Sequence, residues 1–273
     1  MSPTTVFELL QFPFVQRALL VSLALGVMSA LLGMLMSFKK ASFMGDALAH
    51  SSLAGVALGL WAGVSPVLAA GVYALGAAAV LPYFQKITRY TADTLLSILL
   101  PFSMGLGVVI FSMLPGYQPQ LMGYLFGSIV GVTWLEVWLV VGLAAVSVVA
   151  WVLLHKKLLL VALDPDYAQL IGIKRWWFDV VYHLWLAVVI IAGVKLVGVI
   201  LINALLVIPV ATAQLHSTSL GQLSWLAPLL SIVGIVVGLV ASLLFNLPTG
   251  GAIAVVLGLM FGASVIGKVW LRS

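Results

Sequence analysis

No cysteine occurs among the 273 residues, which excludes disulfides and thiolate metal ligands and leaves imidazole, carboxylate and carbonyl groups as donors for any bound ion. Charge is nearly as scarce. Seven Asp and Glu and twelve Lys and Arg make up 7% of the chain, against 64% hydrophobic residues, and the mean hydropathy is +1.27. So few polar groups cannot clothe a water-facing surface around a core, and an ordinary water-soluble domain is excluded. Also missing is a phosphate-cradling glycine loop ending in Lys-Ser/Thr, so the chain does not itself bind and split a nucleotide through that motif. No nucleophile motif or metalloprotease helix signature is present, and an intramembrane enzyme therefore has little to rest on. The first residues lack the basic start and small-residue cleavage site of a signal peptide, so the first span is expected to stay as a mature helix.

What is present is a train of apolar stretches. A bilayer core of about 30 Å takes roughly 20 residues of helix, and water-free lipid admits only helices or closed barrels. The stretches here run past the roughly ten alternating residues of a barrel strand. The expectation is therefore an all-α, polytopic helical bundle in a single domain, residues 1–273. Spans are expected at Phe14–Phe38, Phe43–Gly63, Pro66–Gln85, Thr94–Leu114, Trp134–His155, Trp177–Ala192, Leu196–Leu215, Gln222–Phe245 and Thr249–Val269. That gives nine passes, with eight as the alternative and Leu121–Val132 read as a partial or re-entrant piece. Glycine pairs inside spans, such as Gly26/Gly33, Gly55/Gly59, Gly123/Gly127/Gly131 and Gly234/Gly238, predict close helix contacts. Pro101 and Pro209 are expected to bend their helices or free a carbonyl.

Ten of the twelve basic residues fall in breaks on one side. Lys39/Lys40, Lys86/Arg89, Lys156/Lys157, Lys174/Arg175 and Lys268/Arg272 mark cytoplasmic span ends, while only Arg17 and Lys195 fall opposite. With nine passes the amino terminus is outside and the carboxyl terminus cytoplasmic. The isoelectric point of about 9.6 thus reflects topology rather than nucleic-acid binding, because the cations come in pairs at membrane edges instead of one stripe.

Two places stand out. On the longest inner segment, Leu163–Arg175 (LDPDYAQLIGIKR) has a helix start at Asp164 and Pro165, Asp166 in the first turn, and Leu163, Leu170 and Ile173 as apolar contacts. It reads as a short helix at the inner face, or as one resting in headgroups. In Phe43–Ser52 (FMGDALAHSS), Asp46 and His50 are four apart and share one helix face. A carboxylate and an imidazole so placed can hold a divalent cation such as zinc or manganese; two ligands leave the shell open, as release requires. The bland reading is a dipole-favoured Asp46 beside a satisfied buried histidine. Asn203 at span depth is a weaker pathway candidate whose default is interhelical bonding, and Glu136 is either a carboxylate that receives the ion or a plain cap. Asp93 reads as a helix cap and Lys195 as snorkelling. His155 looks interfacial, and His183, His216 and Gln214 take no role.

Phe43–Gly59, Leu121–Thr133, Leu163–Ile173, Val194–Ala213 and Leu247–Val255 together resemble the ABC-type zinc and manganese permeases of bacterial high-affinity metal importers. Gly45–His50 (GDALAH) is the most specific element. The resemblance implies a type II importer-like permease in the bacterial inner membrane. It also implies a homodimer working with two cytoplasmic ATPase subunits and an extracytoplasmic metal-binding protein. ATP acts through that partner, no cofactor is bound, and zinc is placed ahead of manganese as cargo. By position, residues 163–175 become the coupling helix, with Leu163, Asp164, Pro165, Asp166, Tyr167, Leu170 and Gly172 at the ATPase contact. Asp46 and His50 become the ion-handling pair. Ser51 and Ser52 depart from the small apolar residues frequent after the histidine, and Asn203 departs in the late conserved span. The alternative is a proton-coupled secondary carrier or a cation channel that uses the pair as a proton relay.

Overall fold

The computed structural model describes residues 11–39, 41, 43–88, 90–114 and 131–270. Among the described residues there are ten helices and no strand. They are α1 (Pro13–Phe38), α2 (Met44–Trp61), α3 (Pro66–Thr88), α4 (Ala92–Ser112), α5 (Trp134–Leu163), α6 (Pro165–Leu170), α7 (Arg175–Val197), α8 (Val199–His216), α9 (Leu220–Phe245) and α10 (Thr249–Trp270). Each expected span forms a helix, and α6 adds the short inner one. Leu121–Val130, with Gly123 and Gly127, lies outside the described residues.

Two boundaries differ from the expectation. Helix α5 does not stop at His155 but continues through Lys156 and Lys157 to Leu163, 30 residues in all. Lysine is a good helix former and no breaker occurs before Asp164-Pro165, so the helix runs on for about 45 Å at 1.5 Å per residue, longer than a hydrocarbon core. The break between α7 and α8 falls at Gly198, whose φ of 90° suits glycine. It comes later than the gap expected around residues 193–195.

Among the described residues eight helices are long and apolar enough, by length and composition, to cross a membrane; α2 is long enough but less apolar than these. Asp46, His50, Ser51 and Ser52 dilute its apolar character, and thirteen of its eighteen residues are buried inside the protein. Only 28% and 22% of the best apolar windows of α3 and α4 are buried. The helix with the polar residues is therefore the covered one, as an environment hostile to polar side chains demands.

The chain divides into two compact units, 1–34 with 123–151 and 196–273, and 35–122 with 152–195. In the first, α8, α9 and α10 pack on one another, and α1 joins them by close approach: a Cβ on Gly33 would collide with the Leu206 carbonyl oxygen. In the second, α2 packs on α3 and α4. There the backbone of α3 comes so near that a Cβ on Gly55 would lie 2.5 Å from the Ala70 Cα. Lipid gives helices no hydrophobic drive to associate, so such small-residue contacts and their dispersion energy hold the bundle. Pro82, Pro101, Pro209 and Pro228 each sit inside a helix that continues past them.

Candidate functional site

Helix α2 begins without a side-chain cap, and Asp46 occupies its first turn. The i to i+4 spacing carries His50 back over it, so that His50 Nε2 lies 3.4 Å from Asp46 Oδ1. The side chains remain partly open, 25% for His50 and 42% for Asp46. His50 Nδ1 is buried and has no hydrogen-bond partner among the described residues. An orphaned buried nitrogen costs about 1–3 kcal/mol, which a purely structural histidine normally avoids. Ser51 and Ser52, both buried, donate to the carbonyls of Leu48 and Ala49. Their hydroxyl protons are thus used within the helix. No group of three or more His, Cys, Asp or Glu side chains gathers among the described residues. The pair is a two-donor arrangement, chemically able to touch a divalent ion without closing a shell around it.

The inner segment Leu163–Arg175 is built as its sequence dictates. Asp164 caps α6, its Oδ1 accepting from Tyr167 N at 2.9 Å, and Pro165 opens the helix where a missing N–H is harmless. Gly172 ends the segment at φ 84°. Ala168 is fully buried, whereas Leu163, Tyr167, Leu170 and Ile171 are exposed, Leu170 by 85%. A six-residue helix with a small buried face and a large exposed apolar one is shaped to receive a cover.

The weaker candidates take other positions. Glu136 forms a capping box at the start of α5: its Oε2 accepts from Thr133 N and Oγ1, both at 2.9 Å, and Thr133 Oγ1 accepts from Glu136 N at 3.3 Å. Asn203 is half-buried in α8 of the first unit, while Asp46 and His50 belong to the second. The cap expected of Asp93 is supplied instead by Thr91, which has the extended backbone a cap requires and accepts from Thr94 N at 3.3 Å. Asp93 lies one position inside the helix, with Oδ1 buried and without a hydrogen-bond partner among the described residues.

A second polar assembly escapes the sequence reading. Asp179 in α7 is only 7% exposed; its Oδ1 pairs with the Lys39 ammonium and its Oδ2 accepts from Arg175 Nε at 3.3 Å. Lys39 also sits 5.5 Å from the Tyr182 ring centroid, and His183 Nδ1 donates to the Asp179 carbonyl. This assembly borders a cavity of about 1200 Å³, also lined by Lys86, Asp93, Gln169 and Lys174. The i to i+4 spacing of Arg175 and Asp179 is the signal a reader could use. Lys39, 140 positions from Asp179, leaves none.

Residues 11–268 match the ABC 3 transport family. The chain is 29% identical over 253 residues to the manganese transport system membrane protein MntC of Listeria monocytogenes, covering 93% of this chain and 90% of that one. It is 30% identical over 264 residues to the high-affinity zinc uptake system membrane protein ZnuB of Haemophilus influenzae, covering 96% and 99%. Among solved structures it is similar to PsaBC from Streptococcus pneumoniae in complex with Fab, with a TM-score of 0.81, 27% identity and coverage of 95% and 94%.

Proposed function

The chain belongs to the ABC 3 transport family, and from that premise we propose that it is the membrane permease of an ATP-driven importer of divalent metal ions. It is a multi-pass membrane protein, and the bacterial plasma membrane is the compartment this reading gives it. Two copies of the chain work with a separate cytoplasmic ATPase and receive the ion from an extracytoplasmic binding protein. The clustering of basic residues puts the amino terminus outside and the carboxyl terminus, with α6, in the cytoplasm.

The observation that carries the reading is the Asp46–His50 pair, 3.4 Å apart on the mostly buried helix α2, within a chain whose relatives carry metals. Dehydrating a doubly charged ion is costly, and a carboxylate offsets part of that cost while an imidazole favours first-row metals over calcium or magnesium. Two ligands on one helix hold the ion briefly. Zinc and manganese both suit the donors, and the relatives bear both names, so the pair does not rank them. The exposed face of α6 takes the role of the coupling helix, offering Tyr167 and Leu170 to the ATPase.

The test is reconstitution of the chain with its ATPase in vesicles, measuring radioactive zinc and manganese uptake. Uptake that requires ATP supports the reading, and the preferred ion identifies the cargo. Uptake driven by a proton gradient with no ATP present replaces it with a secondary carrier.

A further inference from the structure

The docking segment and the ion-handling helix are separated by more than a hundred residues, and coupled transport needs a physical link between them. Asp179 supplies one. From its Oδ2 the bond to Arg175 reaches the first residue of α7, immediately behind the turn in which Ile173 N donates to Ala168 O at 2.9 Å and Gly172 closes α6. From Oδ1 the bond reaches Lys39, at the end of α1. The chain then passes into α2 through a short connection held by its own backbone, with Ala41 N donating to Met36 O at 3.0 Å and Met44 N to Ala41 O at 2.9 Å. One carboxylate thus holds two cations, one from each side of the route. The second unit contains every residue of this path.

Resting on the permease reading above, we infer that Asp179 is a positioning residue that fastens the ATPase-docking segment to the head of the Asp46–His50 helix. When the ATPase displaces α6, the Arg175–Asp179–Lys39 bridge carries the displacement to Lys39 and so to the first turn of α2. A buried acid bonded to two cations resists separation, because parting them leaves uncompensated charge in a low-dielectric setting. The Lys39 ammonium over the Tyr182 ring adds a second hold on the same partner helix. The Arg175 side chain is half exposed whereas Lys39 and Asp179 are largely covered, so the Lys39 arm is the stiffer of the two.

A bridge that merely neutralises charge and one that transmits motion respond differently to the paired removal of charge. Lys39→Met alone leaves a buried carboxylate short of one cation, and Asp179→Asn alone leaves two cations without their acid; both lower yield and stability. Lys39→Met combined with Asp179→Asn leaves no orphan inside the pair, and folding recovers. Metal moved per ATP hydrolysed, measured on the assembled complex in vesicles, does not recover: it stays about fivefold or more below the parent in the double variant. Lys39→Arg keeps the cation and keeps the ratio. Because the chain has no cysteine of its own, it can be labelled before assembly with the ATPase, and spin labels attached through the substitutions Phe43→Cys and Gln169→Cys report the link directly. Their distance is a single narrow distribution in the parent with and without a non-hydrolysable nucleotide, and it broadens in the double variant. If the transport ratio returns to the parent value together with stability, or the label distance stays narrow, Asp179 is structural and the inference is overturned. If the parent complex transports without ATP or does not bind the ATPase, the permease reading fails instead, and the two failures are told apart by the parent alone.

Discussion

His50 faces Asp46 across one turn of α2, its Nε2 3.4 Å from the carboxylate Oδ1, while its other ring nitrogen is buried with no hydrogen-bond partner among the described residues. The separation is longer than a good hydrogen bond, and the side chains are partly open, so the pair is held together mainly by the helix and not by a strong mutual bond. Two donors that neither saturate each other nor close a shell suit an ion that must leave again. Asp46→Ala or His50→Ala should therefore reduce metal uptake by at least about tenfold, the lower end of what disturbing a metal's immediate surroundings costs in affinity. Asp46→Asn, which keeps shape and loses charge, should do the same. Vesicle uptake at limiting metal is the measurement, with membrane insertion and ATPase association unchanged; normal uptake from both alanine variants would falsify the ion role.

The fold was largely legible because lipid imposes simple rules. Runs of apolar residues between Gly, Pro and charged breaks become helices, and Asp164-Pro165 starts α6 where capping chemistry says it must. The pattern missed the far end of α5, where the two lysines look like a boundary yet continue a helix that extends beyond the apolar layer. It also could not separate a lipid-facing helix from a covered one, so α2 looks in the sequence like its neighbours although most of its residues are buried. Of the polar groups, Asp46 and His50 declare themselves because their spacing is local. Asp179 does not, since its meaning comes from Lys39, brought to it only by the packing of the second unit.

The exposed apolar face of α6 sets a second prediction. Leu170 is 85% exposed and Tyr167 about half so, on a helix whose only buried residue is Ala168. Leu170→Glu places a charge where the proposed groove of the ATPase must lose water, and Asp166→Lys reverses a charge at the helix start. Each should lower ATPase co-purification by about tenfold or more, as removing a central apolar anchor does at other interfaces. Helical content and membrane insertion should be unaffected. Retention of the ATPase together with metal-stimulated hydrolysis in both variants would move the docking surface elsewhere.

Helix packing in the first unit predicts a sharp size limit at Gly33. A Cβ there would run into the Leu206 carbonyl oxygen and lie 3.2 Å from a Val210 methyl, and a backbone atom cannot step aside as a flexible side chain can. Gly33→Ala should cost about 1–3 kcal/mol, the usual range for overpacking, and Gly33→Leu more. Unfolding in mixed micelles measures it. Gly76→Ala is the control: nothing lies within 4 Å of a Cβ at that position, so stability should not fall and should rise by up to about 1 kcal/mol, as alanine replacing glycine inside a helix does.

Glu136 is where a structural and a transport role can be separated by one atom. Its carboxylate accepts two hydrogen bonds from Thr133, and Thr133 Oγ1 returns one from the Glu136 N–H, a reciprocal cap that needs an acceptor at Glu136 but no charge. Glu136→Gln keeps the acceptor and should retain both stability and uptake. Glu136→Ala loses it and should lower stability by about 1 kcal/mol, the ordinary value of a helix cap, as should Thr133→Ala. Combining the two alanine changes should cost little more than either one, because each breaks the same pair. A metal-receiving carboxylate behaves in the opposite way: Glu136→Gln would then abolish uptake at low metal while leaving the unfolding midpoint in place, since a neutral amide attracts a dication far less than a carboxylate does. Measuring uptake and unfolding on the glutamine variant alone therefore decides between the cap and the pathway.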